Sequence, residues 1–269
     1  MTAHLWLPYT QMQTAAPPLR AARTAGSRII LEDGRELIDA VSSWWTACHG
    51  YNHPHIVMAM EKQLHAMPHV MFGGLVHEAA EKLAARLALM LPGPLNRVFF
   101  ADYLPEQVIA PIPRDEATTL TFRQLLTDHS HEIAAVIVEP LVQCAGGMKM
   151  HNPDALKTIA AAAKDAGVLL ICDEIAVNFG RAGSLFAHTQ AGIAPDIICL
   201  GKALTGGAIN LAATVATADV FAAFLSDDAE AALMHGPTYM ASPLACAAAN
   251  ASLDLFDTEP RLQQVAAIE

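Results

Sequence analysis

The sequence is poor in the features that place a chain on a nucleic acid or in a membrane. Only 16 of its 269 residues are Lys or Arg, against 27 Asp and Glu, and the formal net charge is −11. No basic cluster occurs, which argues against a nucleic-acid-binding surface. No apolar run reaches the roughly 18 residues of a membrane-spanning helix. Residues 1–6 have neither the basic charge nor the apolar stretch of a signal peptide.

Cysteine is also scarce. The five cysteines are odd in number and scattered, without the spacing of a disulfide framework. Cys172 and Cys199 fall in predicted buried strands, where a thiol behaves as a small reduced hydrophobe. This usage is typical of a cytoplasmic protein.

What the sequence does contain is apolar runs of strand length. With 53% hydrophobic and 16% charged residues, the chain can hold one large or two ordinary domains around a substantial core. Residues 168–174 and 196–203 each contain a run that is hydrophobic at successive positions rather than at alternate ones. Such runs predict strands covered on both faces, and hence an α/β fold with a mainly parallel sheet flanked by helices.

An acid and an amine lie at the ends of these two runs. Asp173 ends the first run and Lys202 ends the second, and in parallel sheets ligands bind beyond the carboxyl ends of the strands. The pair suits pyridoxal phosphate, because a lysine can hold that cofactor as a Schiff base while a carboxylate keeps its pyridine nitrogen protonated. A helix cap or solvated turn at Asp173 and a surface position for Lys202 are the alternatives that spacing alone leaves open.

Helical and strand patterns alternate along the rest of the chain. The predicted elements are a hairpin around Asp33–Gly34, helices from Pro54, over 78–90, from Asn152 to Gly167 and from Ser242 to Leu255, and strands at 97–101 and 132–139. One connection is too short for this alternation. After the strand that ends near Asp102, a parallel sheet requires a turn and a crossover helix. Residues 103–113 instead contain three prolines, and a helix is indicated only weakly around 119–127.

Four segments around Lys202 carry a resemblance. They read Asp173-Glu-Ile-Ala, Phe179-Gly-Arg-Ala-Gly, Pro195-Asp-Ile and Leu200-Gly-Lys-Ala-Leu-Thr-Gly-Gly. Together they resemble the class III aminotransferases. The resemblance implies the fold-type I fold of transferases that depend on pyridoxal 5'-phosphate, and that cofactor itself.

Further segments narrow the resemblance within the class. They are Trp6-Leu-Pro-Tyr-Thr-Gln-Met, Ser43-Trp-Trp-Thr-Ala-Cys-His-Gly-Tyr-Asn-His-Pro, His69-Val-Met-Phe-Gly-Gly and His235-Gly-Pro-Thr-Tyr-Met. They are similar to the members that act in biotin biosynthesis. That similarity implies transfer of an amino group from S-adenosylmethionine to 8-amino-7-oxononanoate, giving 7,8-diaminononanoate. Another class III ω-aminotransferase and a catalytically inactive, deleted relative are the alternatives.

The resemblance also implies a role for each site residue. Lys202 would be the Schiff-base lysine and the base that moves the substrate proton, and Asp173 would pair with the pyridinium nitrogen. Thr238 and Pro237 would also bind the cofactor, with Thr238 contacting its phosphate across a homodimer interface. The implied substrate-binding residues are Tyr9, Trp44, Trp45 and Gly236. Aromatic faces suit an aliphatic keto acid and a sulfonium donor. Core packing for the two tryptophans and an anchoring role for Tyr9 are the alternatives.

The chain departs from this family in the segment after Asp102. Relatives carry a Ser-Gly-Ser turn that cradles the phosphate and a later His-Gly-Tyr-His segment, whereas here Tyr103 comes next. The sequence therefore resembles a member with an internal deletion, which is expected to leave apolar sheet surface uncovered. We predict an N-terminal segment of a small domain over 1–50, a cofactor-binding large domain over 51–250, and over 251–269 the start of a linker to an absent C-terminal domain.

Several other polar residues have weaker roles in this interpretation. Glu139 and Gln143 lie in a segment similar to the family's Glu-Pro-x-x-Gln region and are expected to lie behind the residues that touch the cofactor. Asn178 and Asn210 stand where relatives carry other residues. Three histidines, His49, His53 and His55, lack Cys or carboxylate partners at ligand spacing, so a capping or packing role is favoured over a metal site.

Overall fold

The computed structural model describes residues 16–72, 74–100, 109–227, 233 and 239–268. The strands are β1 (Ala21–Ala25), β2 (Arg28–Leu31), β3 (Glu36–Ile38), β4 (Leu95–Phe99), β5 (Ala135–Val138), β6 (Val142–Gln143), β7 (Lys149–Met150), β8 (Leu169–Asp173), β9 (Ile197–Leu200) and β10 (Ala213–Thr217). The helices are α1 (Ser42–Trp45), α2 (Pro54–Ala66), α3 (Glu78–Met90), α4 (Glu116–Asp128), α5 (Pro153–Ala166), α6 (Ala218–Ala222), α7 (Pro243–Thr258) and α8 (Arg261–Ala266).

The main sheet has five strands in the order β4-β10-β9-β8-β5. β5 pairs with β8 and β8 with β9 in parallel, while β10 runs antiparallel to both of its neighbours, β9 and β4. The mainly parallel α/β sheet predicted from the apolar runs is therefore confirmed. Because β8 and β9 are neighbouring parallel strands, the residues at their carboxyl ends lie close together at the same end of the sheet.

The helices of two core clusters pack against one face of this sheet, because the ladder places the sheet residues of both clusters on the same side. Residues that point to the other face, among them Ile137, Ile171 and Ile197, are half-buried, so the predicted cover of the central strands on both faces was wrong. One core cluster joins α3 and α7 to β4, β9 and β10, and its Leu83, Leu87 and Leu200 are completely buried. A second joins α4 and α5 to β5 and β8, around Leu156 and Ile159. Burying a leucine or isoleucine side chain stabilises the fold by about 1.5–3 kcal/mol. These two clusters fix the sheet, and with it the strand ends that carry Asp173 and Lys202.

Local signals explain where several elements begin and end. The Asn152 side chain accepts a hydrogen bond from the Ala155 N–H at 2.9 Å, and Gly167 ends α5 in the left-handed conformation, as predicted. The Asp33–Gly34 turn joins β2 to β3, which pair antiparallel, so the hairpin is confirmed. His53 caps α2 by accepting from the His55 N–H at 3.3 Å.

Some predicted boundaries were wrong. The weakly indicated helix at 119–127 is α4, which starts earlier because Asp115 and Thr118 form a reciprocal capping box. Helix α8, which comes after the helix from Ser242, was not predicted. Cys199 is half-buried rather than buried. Among the described residues, no helix is long and apolar enough to cross a bilayer.

Candidate active site

Three ionisable side chains lie at the ends of three neighbouring parallel strands. Glu139 comes directly after β5, Asp173 is the last residue of β8, and Lys202 comes two residues after β9. The ladder pairs Asp173 with Cys199, so the acid lies level with the end of the lysine's strand. The structure thus brings Asp173 and Lys202, the two residues singled out by the sequence, to the same end of the sheet. This is the position at which open α/β sheets bind ligands.

Asp173 is held by its own turn. Its Oδ1 accepts a hydrogen bond from the Ile175 N–H at 3.0 Å. Burial raises the pKa of Asp173, while this hydrogen bond and the positive charge of Lys202 act in the opposite direction. A carboxylate in this position gains from a further positive charge beside it, which is what a protonated pyridine nitrogen provides.

Lys202 begins a short 3₁₀ turn with a backbone in the left-handed region, at φ 47°. Its Nζ lies 4.9 Å from the centroid of the Trp45 ring, close enough for a cation–π contact. The side chain is half-buried, and its charge also acts on Glu139 and Asp173. The amine therefore lies against an aromatic ring, and its charge interacts with both carboxylates.

Trp45 reaches this position through an unusual backbone. All four residues of α1, Ser42 to Trp45, have positive φ, between 45° and 68°. Asp39 supports the turn by accepting from the Ser43 N–H at 2.6 Å and from the Tyr51 hydroxyl. Of the two tryptophans predicted to contact substrate, the structure brings Trp45 to Lys202, whereas Trp44 is 56% exposed.

A glycine pair packs the Trp45 segment against the lysine turn. Gly206 and Gly207 have φ of 63° and 79°, which few other residues adopt. A Cβ at Gly207 would lie 2.9 Å from Thr46 Oγ1 and 3.0 Å from the Ala47 nitrogen. The close approach of the two backbones therefore requires glycine at position 207.

Glu139 belongs to a small polar cluster. Its carbonyl oxygen accepts from Gln143 Nε2 at 2.7 Å and lies 3.1 Å from His151 Nε2. Burial raises the pKa of the Glu139 carboxyl, the nearby Asp173 charge raises it further, and Lys202 opposes both. Sequence reasoning missed His151, whose only signal is its position next to the cap of α5.

Asn178 is a second residue whose contact the sequence did not predict. It is completely buried, and its Nδ2 donates to the carbonyl of Gly201, the residue before Lys202, at 3.4 Å. Its Oδ1 is buried without a hydrogen-bond partner among the described residues. Glu174, by contrast, points away from the lysine into the core. There it accepts from the backbone N–H of Ala187 and His188, at 2.7 Å each.

The other predicted site residues are not among those that the structure describes. Tyr9, Gly236, Pro237 and Thr238 lie outside the described residues, as does Asp102, after which the expected phosphate turn is missing from the sequence. Within the described ranges, no group of three His, Cys, Asp or Glu side chains is arranged to hold a metal ion. His49 instead contacts Ser252 Oγ through its Nε2 at 3.0 Å, and burial lowers the pKa of His49 to about 4.

Known proteins are similar to this chain in sequence and in fold. The family Aminotransferase class-III matches residues 9–103 and 101–269. The adenosylmethionine-8-amino-7-oxononanoate aminotransferase of Mycobacterium leprae is 39% identical, over 98% of this chain and 77% of the relative. The crystal structure of the Methanocaldococcus jannaschii protein of the same name superposes with a TM-score of 0.88 at 26% identity, covering 97% of this chain and 74% of that one. An amine transaminase from an uncultivated Pseudomonas species, solved in a PLP-bound form, gives 0.83 at 27% identity, covering 95% and 75%.

The comparisons also locate the short connection. The alignment with the Mycobacterium leprae protein runs over 335 residues, which is longer than the whole chain of 269. The relative therefore carries residues that have no counterpart here. The family match is interrupted at residues 101–103, between β4 and β5, which is where the sequence showed a crossover to be missing. Matched on both sides of this interruption over nearly its whole length, the chain belongs to the class III aminotransferase family.

Proposed function

We propose that this chain transfers an amino group from S-adenosylmethionine to 8-amino-7-oxononanoate, giving 7,8-diaminononanoate for biotin biosynthesis, with pyridoxal 5'-phosphate as cofactor. The observation that carries the proposal is Lys202 beneath Trp45, at the strand end next to Asp173. The name of the relative at 39% identity supports the substrates, and the PLP-bound neighbour supports the cofactor.

The residues present fit this cofactor. Lys202 offers an amine for covalent attachment and Asp173 offers a carboxylate for the pyridine nitrogen; Thr238 is the proposed phosphate contact from a second subunit. When bound, the cofactor supplies an electron sink for the carbon from which a proton is removed. Lys202 Nζ would move that proton, Asp173 would supply the negative charge that keeps the ring nitrogen protonated, and Trp45 would exclude water from one side of the amine.

Two finer features complete the proposal. The active form is a homodimer, because Thr238 can serve a phosphate only across a subunit boundary in this assignment. The compartment is the cytoplasm, because all five cysteines are free thiols. The division into the segments 1–50, 51–250 and 251–269 stays a prediction.

Covalent trapping tests the cofactor assignment. The purified chain is incubated with pyridoxal phosphate, treated with borohydride and digested, and the peptides are analysed by mass spectrometry. We expect one phosphopyridoxyl adduct, on Lys202. An adduct spread over surface lysines such as Lys62 and Lys157, or none at all, would favour the alternative of a catalytically inactive deleted relative.

An amino-donor screen tests the substrates separately. We expect 8-amino-7-oxononanoate to be aminated when S-adenosylmethionine is the donor. Amination with a simple ω-amine but none with S-adenosylmethionine would assign the chain to another class III activity. Loss of the phosphate turn removes several charge-assisted hydrogen bonds, each worth about 1.5–3 kcal/mol, so both assays require saturating cofactor.

A further inference from the structure

The outer edge of β5 is open within the part of the chain that the structure describes. β5 is the terminal strand of the main sheet and pairs there with β8 alone. The family match is interrupted between β4 and β5, the two strands at opposite edges of the sheet. The chain therefore lacks family residues in the connection that crosses from one edge to the other.

The backbone groups on this edge can be assigned. The Leu169 N–H donates to the Ala134 carbonyl at 3.1 Å, so residue 134 points toward β8. Because alternate residues of a strand point their N–H and C=O to opposite sides, Val136 and Val138 also face β8. Ala135 and Ile137 therefore direct an N–H and a C=O outward. Among the described residues, these four groups have no backbone partner.

Nothing in the composition of the strand blocks further pairing. Its sequence, Ala-Val-Ile-Val, is uncharged and three of its four residues are β-branched, which favours strand pairing. Edge strands are usually protected by a charge, a proline or a bulge, and 135–138 contains none of these. Ala110 and Ile112, from the connection that precedes α4, pack against the second core cluster, and among the described residues no backbone hydrogen bond joins them to β5.

We propose that a second copy of this chain pairs its β5 with this edge, antiparallel and across a two-fold axis at Val136. Ala135 then lies opposite Ile137 of the other copy, and the two residues exchange both hydrogen bonds. The same pairing repeats on the other side of the axis. All four outward groups of each strand are satisfied in this way, and the contact closes on itself.

The neighbouring contacts select this register. An axis at Ile137 would require the Glu139 carbonyl to accept from the partner strand, but that oxygen already accepts from Gln143 and lies beside His151. With the axis at Val136, Glu139 lies opposite Ile133, so no like charges face each other. A strand that is complementary to itself in both hydrogen bonds and charge favours an identical chain over an unrelated peptide.

Disulfide formation between identical strands tests the register. In a pair that does not exchange hydrogen bonds, opposite Cα atoms lie about 4.5 Å apart, within disulfide range. Val136→Cys should therefore give a covalent dimer under mild oxidation, seen by non-reducing electrophoresis and lost with reductant. In the matched control Ile137→Cys, the two thiols lie on a diagonal of about 7–8 Å and should give no dimer above the parent's background.

A second variant measures the contribution of the edge to assembly. Ile137→Lys should lower the weight-average mass in sedimentation to about half, because one two-fold contact is lost. Leu120→Lys, on the exposed face of α4, should leave the mass unchanged. The proposal is wrong if Val136→Cys does not cross-link above background, or if Ile137→Cys cross-links equally well. It is also wrong if a folded Ile137→Lys protein keeps the parent's mass.

Discussion

The centre and the edge of one sheet have different surroundings in this molecule. In the centre, Ile198 and Leu200 of β9 and Cys172 of β8 are completely buried, and the strands end in the lysine and the acid of the candidate site. At the edge, three of the four β5 residues are only half-buried. The family residues that are missing lie in the connection that leads to the edge, while the central strands keep their neighbours. A chain can therefore lose part of the connection between two strands without losing the strand ends on which its chemistry depends.

The largest expected effect comes from breaking the centre at Lys202. Lys202→Ala removes both the point of covalent attachment and the group that moves the proton. We expect transamination to fall to background and the borohydride adduct to disappear. Lys157→Ala, which removes an exposed lysine paired with Asp154, is the control and should keep both. Residual activity in Lys202→Ala would assign the base elsewhere.

Asp173→Asn separates attachment from turnover. The amide keeps the size and the hydrogen bond to Ile175 but loses the charge that keeps the ring nitrogen protonated. We expect the adduct on Lys202 to persist while kcat falls by about 10²–10³-fold, the scale of one lost preorganised electrostatic contact. Asp165→Asn, on the surface beside Arg123, should leave kcat unchanged. A small fall in kcat with Asp173→Asn would make Asp173 a structural cap.

Gly207→Ala tests whether the backbone at position 207 is packed closely against the segment that carries Trp45. The new Cβ meets Thr46 and Ala47 in addition to adopting a left-handed φ. Left-handed backbone costs about 1–2 kcal/mol and overpacking about 1–3 kcal/mol. The control is Gly192→Ala. Gly192 has a similar φ of 61°, and among the described residues no atom lies within 4 Å of the new Cβ, so this variant measures the cost of the left-handed backbone alone. Urea unfolding should show a greater loss for Gly207→Ala; equal losses would mean that the close approach contributes nothing.

A smaller effect is expected from His49, which joins the N-terminal region to α7 through Ser252. Its pKa is lowered to about 4 by burial, so the unfolded chain binds the proton more tightly. Stability should therefore decrease as the pH falls from about 6.5 toward 4, by about 2 kcal/mol between pH 7 and pH 5. Denaturant unfolding at the two pH values measures this. In His49→Gln, the free energy of unfolding should vary less with pH. If it varies as much as in the parent, the pH dependence arises from other groups.

The sequence predicted elements whose causes are local. Helix α5 could be located from Asn152 and Gly167, and β8 and β9 from their apolar runs, because caps and burial act within a few residues. It was predictable from strand direction alone that Asp173 and Lys202 lie at the same end of the sheet. Helix α8 and the full extent of α4 were missed, since a short or weakly amphipathic helix depends on what it packs against.

Contacts between segments that come together only in the folded chain could not be predicted in the same way. The left-handed turn at Ser42–Trp45 places one tryptophan by the lysine and leaves the other exposed, which no spacing rule distinguishes. His151 reaches the Glu139 carbonyl only because β6 and β7 fold back on each other. The Asn178 contact with Gly201 joins two loops that are distant in sequence.

The alternating backbone of β5 has a consequence for hydrogen exchange. In a single chain, the N–H groups of Val136 and Val138 point toward β8 and are protected, whereas those of Ala135 and Ile137 meet solvent. Deuterium should therefore enter every second amide of the strand quickly. Addition of a strand at this edge would slow the fast pair while leaving the slow pair unchanged. Four consecutive amides would then report separately on the inner and the outer neighbour of the same strand.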